Sequence, residues 1–294
     1  MNSHILLFSL TIPCLTFAAE APSESPVFGK QNFIEYLTGQ LPLVLSAPHG
    51  GALVPQTVAT RTAGVAQPDA NTQDLARRIA AEIQKITGKR PALIISHLHR
   101  SKLDPNREIK EAAQGDPKAE AAWTEYHGFI SEALKAAVSR HQRAFFIDLH
   151  GQSHKDVRVE LGYQHAAADY SADDAKTNST DFIKLGSLKL ITELHPERAY
   201  SELLFGPKSL GGMLETRGYH ATPSPRMKVP SEPYFRGGYT VSRHVNAAER
   251  IAGLQIECNR TRLRDTADNR QRFAETLATV LRDYLLDWMK LDKL

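Results

Sequence analysis

Continuous apolar runs alternate with amphipathic segments along most of the chain. The run Leu43–Ser46 is stopped by Pro48 and two glycines, which indicates a buried strand that enters a tight loop. Between Thr72 and Thr87 apolar side chains recur at helical spacing, and Gly88 supplies a stop signal for the helix. The pattern therefore predicts a strand, a loop and a helix in this order.

The same alternation continues to the C-terminal end. It predicts strands and helices at Pro91–Ile95 (strand), 116–140 (helix), Ala144–Ile147 (strand), Val157–Tyr163 (strand), Asp181–Leu194 (helix), Ile251–Ile256 (strand) and Asn269–Leu291 (helix). The stretch 206–238, rich in glycine and proline, is predicted to form loops over a site. Because no linker or repeat divides the chain, we expect one α/β domain over 20–294, with a mostly parallel sheet covered on both faces.

The composition excludes several classes of protein. Apolar residues make up 41% of the chain and charged residues 23%, which is ordinary globular usage and argues against disorder, collagen and coiled coil. The 36 Lys and Arg residues against 33 Asp and Glu leave a formal charge of +3, without a basic block. Nucleic acid is therefore not an expected partner.

The N-terminal segment predicts export. Its apolar run, Ile5–Phe17, is too short to span a bilayer and ends in small residues that a signal peptidase accepts. Residues 1–19 are therefore predicted to be a secretory signal, with a lipid anchor at Cys14 as the alternative. Removal of the signal leaves Cys258 as the single cysteine, so no internal disulfide is expected. We expect a soluble periplasmic or extracellular protein without stable membrane insertion.

Polar side chains follow three of the predicted strands. His49 follows the first, His150 the third and Glu257 the last. Open α/β sheets bind ligands beyond the C-terminal ends of their strands, so we expect these three side chains to converge. Two imidazoles and one carboxylate form a zinc site with a free position for water, and a further carboxylate can act as general base and acid.

The segment after the first strand offers two candidates for the third metal ligand. Asp74 lies in the first turn of the predicted helix, where the helix dipole already favours a carboxylate. Asp69 lies before the helix, where no cap is obviously needed, and is therefore favoured. A competing metal site is the pair His97 and His99, which share one face of the second strand.

The residues after the second strand suit recognition of a carboxylate. Arg107 can hold a substrate carboxylate through a bidentate pair, and Asn106 can donate a hydrogen bond to it. The alternative is a surface Arg107 that pairs with Asp104. The chain carries no nucleophile elbow and no Walker loop, so serine nucleophiles and nucleotide phosphates have no local support.

These pieces together resemble the N-formylglutamate amidohydrolase family, whose relatives include zinc carboxypeptidases and aspartoacylases. The resemblance extends from about Leu43 to Arg262. Its ordered motifs are Ala47-Pro48-His49-Gly50-Gly51, Asp69, Arg100 with Asp104-Pro105-Asn106-Arg107, Asp148-Leu149-His150, Phe235-Arg236-Gly237-Gly238-Tyr239 and Leu254-Gln255-Ile256-Glu257.

The resemblance implies a three-layer α/β/α sandwich with a central mixed, mostly parallel sheet. It also implies one zinc ion per chain, with the ligands His49, Asp69 and His150. Glu257 is implied as the general base and acid, and Arg107 with Asn106 as the grip on a substrate carboxylate. Further substrate contacts are implied for Arg100, Arg236, Gly237, Gly238 and His244. Family members often carry serine where this chain has Gly151.

The sequence therefore predicts a zinc-dependent amidohydrolase that cleaves an amide beside a free carboxylate. The substrate class covers N-formylglutamate, other N-acyl amino acids, γ-glutamyl compounds and peptide ends. Two alternatives stay open. One is a metallocarboxypeptidase that acts on peptide C-termini, and the other is an exported carboxylate-binding protein without catalysis.

Overall fold

A mixed sheet of eight strands forms the centre of the computed structural model, which describes residues 25–294. The predicted signal segment, residues 1–19, lies outside the described residues. The strands are β1 (Val27–Phe28), β2 (Ile34–Leu37), β3 (Leu43–Ala47), β4 (Ala92–Ser96), β5 (Ala144–Gln152), β6 (Val159–Gly162), β7 (Ala221–Thr222) and β8 (Ile251–Asn259). Their order across the sheet is β1-β2-β4-β3-β5-β8-β6-β7.

The α-helices of the described residues connect these strands and cover the sheet. They are α1 (Thr72–Thr87), α2 (Ile109–Ala113), α3 (Pro117–His141), α4 (Asp174–Thr177), α5 (Thr180–Leu185), α6 (Lys189–Leu194), α7 (Tyr200–Phe205), α8 (Leu210–Glu215), α9 (Tyr239–His244) and α10 (Ala267–Trp288). No helix in this part of the chain is both long and apolar enough to cross a membrane.

The strand directions make the sheet mixed and mostly parallel, which confirms the predicted fold class. The central strands β4, β3, β5 and β8 are parallel to one another. On one side β2 pairs antiparallel with β4, and on the other β6 pairs antiparallel with β8.

Alternate residues of the central strands face two hydrophobic layers, because successive side chains of a strand point to opposite faces. In β3, Leu43 and Leu45 pack in the core that includes α1 and α10, whereas Val44 packs in the core under α3. In β5, Phe145 and Phe146 divide between the same two cores. Helices therefore cover both faces, and the architecture is the predicted α/β/α sandwich.

The strands β5 and β8 are longer than the apolar pattern predicts. They pair with each other in register along all nine residues of β5, and backbone hydrogen bonding continues after the apolar run has ended. Asp148, His150 and Glu257 consequently lie inside the strands, not beyond their ends. Cys258, the next residue of β8, is a buried free thiol in the core, because successive side chains of a strand point to opposite faces.

Two further predictions need correction. The helix predicted over Asp181–Leu194 is two helices, α5 and α6, because Gly186 takes an extended conformation and ends the first. The stretch 206–238 is not all loop, since it contains α8 and β7 and contributes Leu210 and Leu214 to the core. The edge strand β1 and its neighbour β2 have no counterpart among the predicted elements.

Truncation of a side chain at the centre of β8 tests the packing of the sheet. Leu254 is 0% exposed, so Leu254→Ala is expected to lower the free energy of unfolding by about 2–5 kcal/mol through lost contacts and a cavity. Urea denaturation followed by circular dichroism measures the change. Leu185→Ala is the matched control, because Leu185 is 67% exposed and its truncation should change stability by less than about 1 kcal/mol. Equal effects of the two substitutions would contradict this packing.

Candidate active site

The three predicted metal ligands come from three separate elements and meet at one edge of the sheet. His49 follows β3, Asp69 precedes α1 and His150 lies in β5. All three side chains are buried, and one potential ligand atom from each lies within 4.8 Å of the other two. Among residues 25–294 this is the group of His, Cys, Asp and Glu side chains that has the dimensions of a metal site.

The spacing of the donor atoms fits a bound metal ion. Oδ2 of Asp69 lies 3.3 Å from Nδ1 of His49 and 3.3 Å from Nδ1 of His150. These distances are long for hydrogen bonds. They match the edge, roughly 3.4 Å, of a tetrahedron whose corners lie about 2.0–2.1 Å from its centre, as in zinc sites. The side chains therefore have the geometry to share one cation.

A carboxylate holds the other ring nitrogen of each histidine. Nε2 of His49 lies 2.6 Å from Oδ1 of Asp104, and Nε2 of His150 lies 2.8 Å from Oδ2 of Asp148. Asp148 is held in turn by the hydroxyl of Ser46, which donates to its Oδ1 over 2.6 Å. Such partners place the ring proton on Nε2 and leave Nδ1 free to bind a cation.

The buried carboxylates and imidazoles at this edge of the sheet shift one another's pKa values. Burial alone would raise the pKa of Asp69, but the neighbouring His49 and His150 hold that pKa well below its usual range. Burial alone would lower the pKa of His150, but the carboxylates of Asp148 and Asp69 raise it well above its usual range. Surroundings that favour a proton on His150 also favour a metal cation at the same place.

Glu257 adds a carboxylate with one unpartnered oxygen. It lies on β8 directly beside His150 of β5. Its Oε1 accepts a hydrogen bond from Nε2 of Gln255 over 2.8 Å, whereas its buried Oε2 has no hydrogen-bond partner. Burial raises the pKa of Glu257 to about 8, and the carboxylate of Asp69 adds to this effect while His150 opposes it. A buried oxygen without a protein partner is suited to bind a water or a substrate group.

A cavity of about 600 Å³ opens over these side chains, and we call it the site cavity. Besides the His-Asp-His group and Glu257, its walls include Arg100, Asn106, Arg107, Arg236, Gly237 and Gly238. His244 is the predicted site residue that does not line it. That side chain lies buried on α9, with its Nε2 2.8 Å from Nδ1 of His127.

The two arginines that follow β4 have different partners. Nε of Arg100 donates to Oδ2 of Asp104 over 3.0 Å, and its Nη1 lies 3.5 Å from Oδ1 of Asp69. Nε of Arg107 donates to the exposed Glu111 over 3.0 Å. Asp104 is therefore paired with His49 and Arg100, and the alternative pairing with Arg107 is not observed.

Asn106 joins the His-Asp-His group to the loop that carries Gly237 and Gly238, which we call the glycine loop. Its Oδ1 accepts hydrogen bonds from the backbone N–H and the hydroxyl of Thr240, over 2.9 and 3.2 Å. Its Nδ2 lies 3.5 Å from Nε2 of His150. A Cβ added to Gly238 would lie 2.2 Å from the same Nδ2. Only glycine allows the backbone to approach Asn106 this closely.

The competing candidates have partners elsewhere. Nε2 of His97 lies 2.8 Å from Oε2 of Glu35 on β2, and Nδ1 of His99 lies 2.8 Å from the hydroxyl of Ser101. Asp74 is half-exposed on α1 and pairs with two arginines, Arg78 and Arg270. The structure thus brings Asp69, and not Asp74, to the two histidines.

The carboxylate partners of the two histidines and a further histidine of the cavity are not among the residues that the sequence predicts for the site. The sequence could have indicated the contact of Asp148 with His150, because residues two positions apart in a strand lie on the same face. His154 lines the site cavity, and its Nδ1 lies 2.7 Å from Oε1 of the buried Glu160. Glu160 stands opposite Glu257 in the pairing of β6 with β8, which no local pattern indicates.

Gly151 stands where the resembled family often has serine, and its surroundings give the reason. A Cβ at this position would lie 2.3 Å from the guanidinium of Arg264. That buried arginine donates to the carbonyls of Cys258 and Gln152 over 2.9 and 3.0 Å. The N–H of Gly151 donates to Oδ2 of Asp69 over 3.1 Å. Arg264 therefore occupies the space that a side chain at position 151 would need.

The sequence matches no protein-family model and no curated protein. Two solved structures are similar to this chain, each with a TM-score of 0.55 over 88% of it. One is the N-formylglutamate amidohydrolase from Ralstonia eutropha JMP134, at 15% identity and with 99% of that chain covered. The other is the gene product Atu2144 from Agrobacterium tumefaciens, at 12% identity and with 98% covered. The resemblance to N-formylglutamate amidohydrolases is therefore confirmed at the level of the fold.

Proposed function

We propose that this protein is a zinc-dependent amidohydrolase that cleaves an amide bond next to a free carboxylate. One observation carries the proposal: a His-Asp-His group of metal-site dimensions shares a cavity with the unpartnered carboxylate oxygen of Glu257. A solved amidohydrolase of the same fold supports the reaction class.

The metal would be held by His49, Asp69 and His150. Imidazole and carboxylate ligands suit zinc, and three protein ligands leave a fourth position open. When bound, zinc supplies a water of lowered pKa and polarises the amide carbonyl. Asp104 and Asp148 keep the two imidazole rings in the orientation that ligation requires.

Glu257 is the proposed general base and acid. A cation at the neighbouring site favours its carboxylate form over the protonated form that burial favours. Its Oε2 has no protein partner, so this oxygen can accept the proton of the attacking water and return it to the leaving amine.

Arg107 is the proposed partner of the substrate carboxylate next to the cleaved bond, and Arg236 lines the same cavity. The pair of Arg107 with Glu111 is part-exposed and weak, so a substrate carboxylate can replace Glu111. We assign Arg100 and Asn106 to the same pocket, with Gly237 and Gly238 bringing the backbone close to the substrate. His244 supports α9 from behind the cavity. The substrates are N-formylglutamate, another N-acyl amino acid, a γ-glutamyl compound or a peptide end.

Metal analysis tests the ligand set. The wild-type protein is expected to contain about one zinc ion per chain by elemental analysis, and His49→Ala should lose most of it because one of three ligands is removed. His99→Ala is the matched control, since His99 contacts Ser101 outside the site and should retain the metal. A wild-type protein that takes up no added zinc would contradict the proposal.

Glu257→Gln separates metal binding from catalysis. The substitution keeps the shape of the side chain but removes the base, so turnover should fall by about 10²–10⁴-fold while the zinc content stays unchanged. Hydrolysis of N-formylglutamate, N-acyl amino acids and short peptides measures the loss and identifies the substrate class. Full activity in this variant would remove Glu257 from the mechanism.

Asp148→Asn tests the support behind His150. The amide cannot stabilise the ring as the carboxylate does, so zinc affinity should fall by about 10–100-fold in competition with a chelator. Asp74→Asn changes an acid that pairs with arginines away from the site, and its zinc affinity should equal that of the wild type. An unchanged affinity in Asp148→Asn would show that this partner does not support the ligand.

A further inference from the structure

A second cavity of about 550 Å³ lies beside the site cavity, and we call it the distal cavity. Arg236 lines both cavities. The charged groups of the distal cavity are three cations and one acid, together with the hydroxyl of a buried serine; these residues are Lys184, Lys189, Arg236, Asp169 and Ser187. The proposed function makes no use of this cavity.

The segment Arg236–Gly238 contributes to the walls of both cavities, because Arg236 lines each of them. Gly237 and Gly238 line the site cavity, and Gln164 lines the distal one. The N–H of Gln164 donates to the carbonyl of Arg236 over 2.6 Å, and its Nε2 donates to the carbonyl of Gly238 over 3.1 Å. Gly237 has φ 119°, and a Cβ there would lie 2.9 Å from Nε2 of Gln164. Gln164 therefore holds the backbone of this segment, and position 237 needs its glycine.

Polar groups at the distal cavity lack protein partners. Ser187 is 6% exposed, and its buried hydroxyl makes no hydrogen bond. The guanidinium of Arg236 forms no ion pair or hydrogen bond with any side chain in the part of the chain that the structure describes. A buried hydroxyl without a partner costs free energy unless a ligand or water binds it.

The charges of the distal cavity favour an anion. Its one acid, Asp169, already accepts a hydrogen bond from the N–H of Ala166 over 2.7 Å. Lys184 pairs with Asp181 and Lys189 with Glu193, but both pairs are solvent-exposed and weak, so an anion in the cavity can compete for the ammonium groups. Arginine binds carboxylates through two parallel hydrogen bonds, and Arg236 stands at the wall shared by both cavities.

We propose that the distal cavity binds an anionic arm on the acyl side of the substrate. The substrate is then an extended, peptide-like amide with one carboxylate next to the cleaved bond and a second carboxylate further along the acyl part. This inference rests on the proposed function. Each cavity lies within the range, about 300–1,000 Å³, of pockets that take up drug-sized ligands, so the pair has room for more than one N-acyl amino acid.

Calorimetric binding to the full-length, zinc-loaded Glu257→Gln protein tests the proposal without turnover. The probes are N-formylglutamate, N-acetyl-glutamyl-glycyl-glutamate and N-acetyl-glutaminyl-glycyl-glutamate. The first lacks the arm, and the third has the arm but carries an amide in place of its carboxylate. The glutamyl peptide should bind at least ~10-fold more tightly than both of the others, because it alone can form the charged contacts.

Substitutions at Ala248 show where the arm lies. Ala248 is an exposed residue of the distal cavity, so Ala248→Trp in the same background fills the cavity and should reduce the affinity ratio of the two peptides to near one. Ala248→Ser is the matched control and should keep the ratio.

Two results would overturn the inference: equal affinities for all three probes, or a ratio that survives Ala248→Trp. Hydrolysis by the wild-type protein is scored separately. If the wild-type protein hydrolyses N-formylglutamate but the glutamyl peptide binds no more tightly than the other probes, the proposed function stands and the distal site is rejected. If Ala248→Trp abolishes the affinity difference between the two peptides but the wild-type protein hydrolyses no substrate, the distal site is supported and the proposed activity is rejected.

Discussion

The in-register parallel pairing of β5 with β8 is the constraint on which the candidate site depends. The pairing continues through Gln152 and Asn259, beyond the apolar parts of both strands. It places His150 beside Glu257 and Asp148 beside Gln255. A slip of one residue would turn each of these side chains to the opposite face of the sheet. The apolar halves of the two strands, which are buried in both cores, therefore hold the register that the polar halves need.

The polar halves are stable because almost every buried charge has a partner. Asp104 and Asp148 each contact a histidine, and Asp104 also contacts Arg100. An isolated buried carboxylate would be costly, whereas these pairs compensate its lost hydration. Glu257 is the exception, since one of its oxygens has no partner. The least compensated group of the cluster is thus the one to which we assign proton transfer, in keeping with the clustering of perturbed pKa values at functional sites.

The loop after β7 is held by residues of both cavities. Asn106 binds the first turn of α9 through Thr240, and Gln164 binds the backbone on either side of Gly237. The glycine loop is therefore fixed from both cavities, and Arg236 lines both. This arrangement gives one loop two contact surfaces, one in the site cavity and one in the distal cavity.

Local periodicity was enough to predict most of the central scaffold and the convergence of His49, His150 and Glu257. Hydrophobic spacing reports which positions are buried, and strand ends in α/β sheets share one edge. It does not report which buried side chains meet. The contact of His49 with Asp104 joins residues 55 positions apart, and the alignment of Glu160 with Glu257 depends on the antiparallel pairing of β6 with β8. Only the tertiary structure decides such contacts, because they follow from strand register and loop paths that no local pattern encodes.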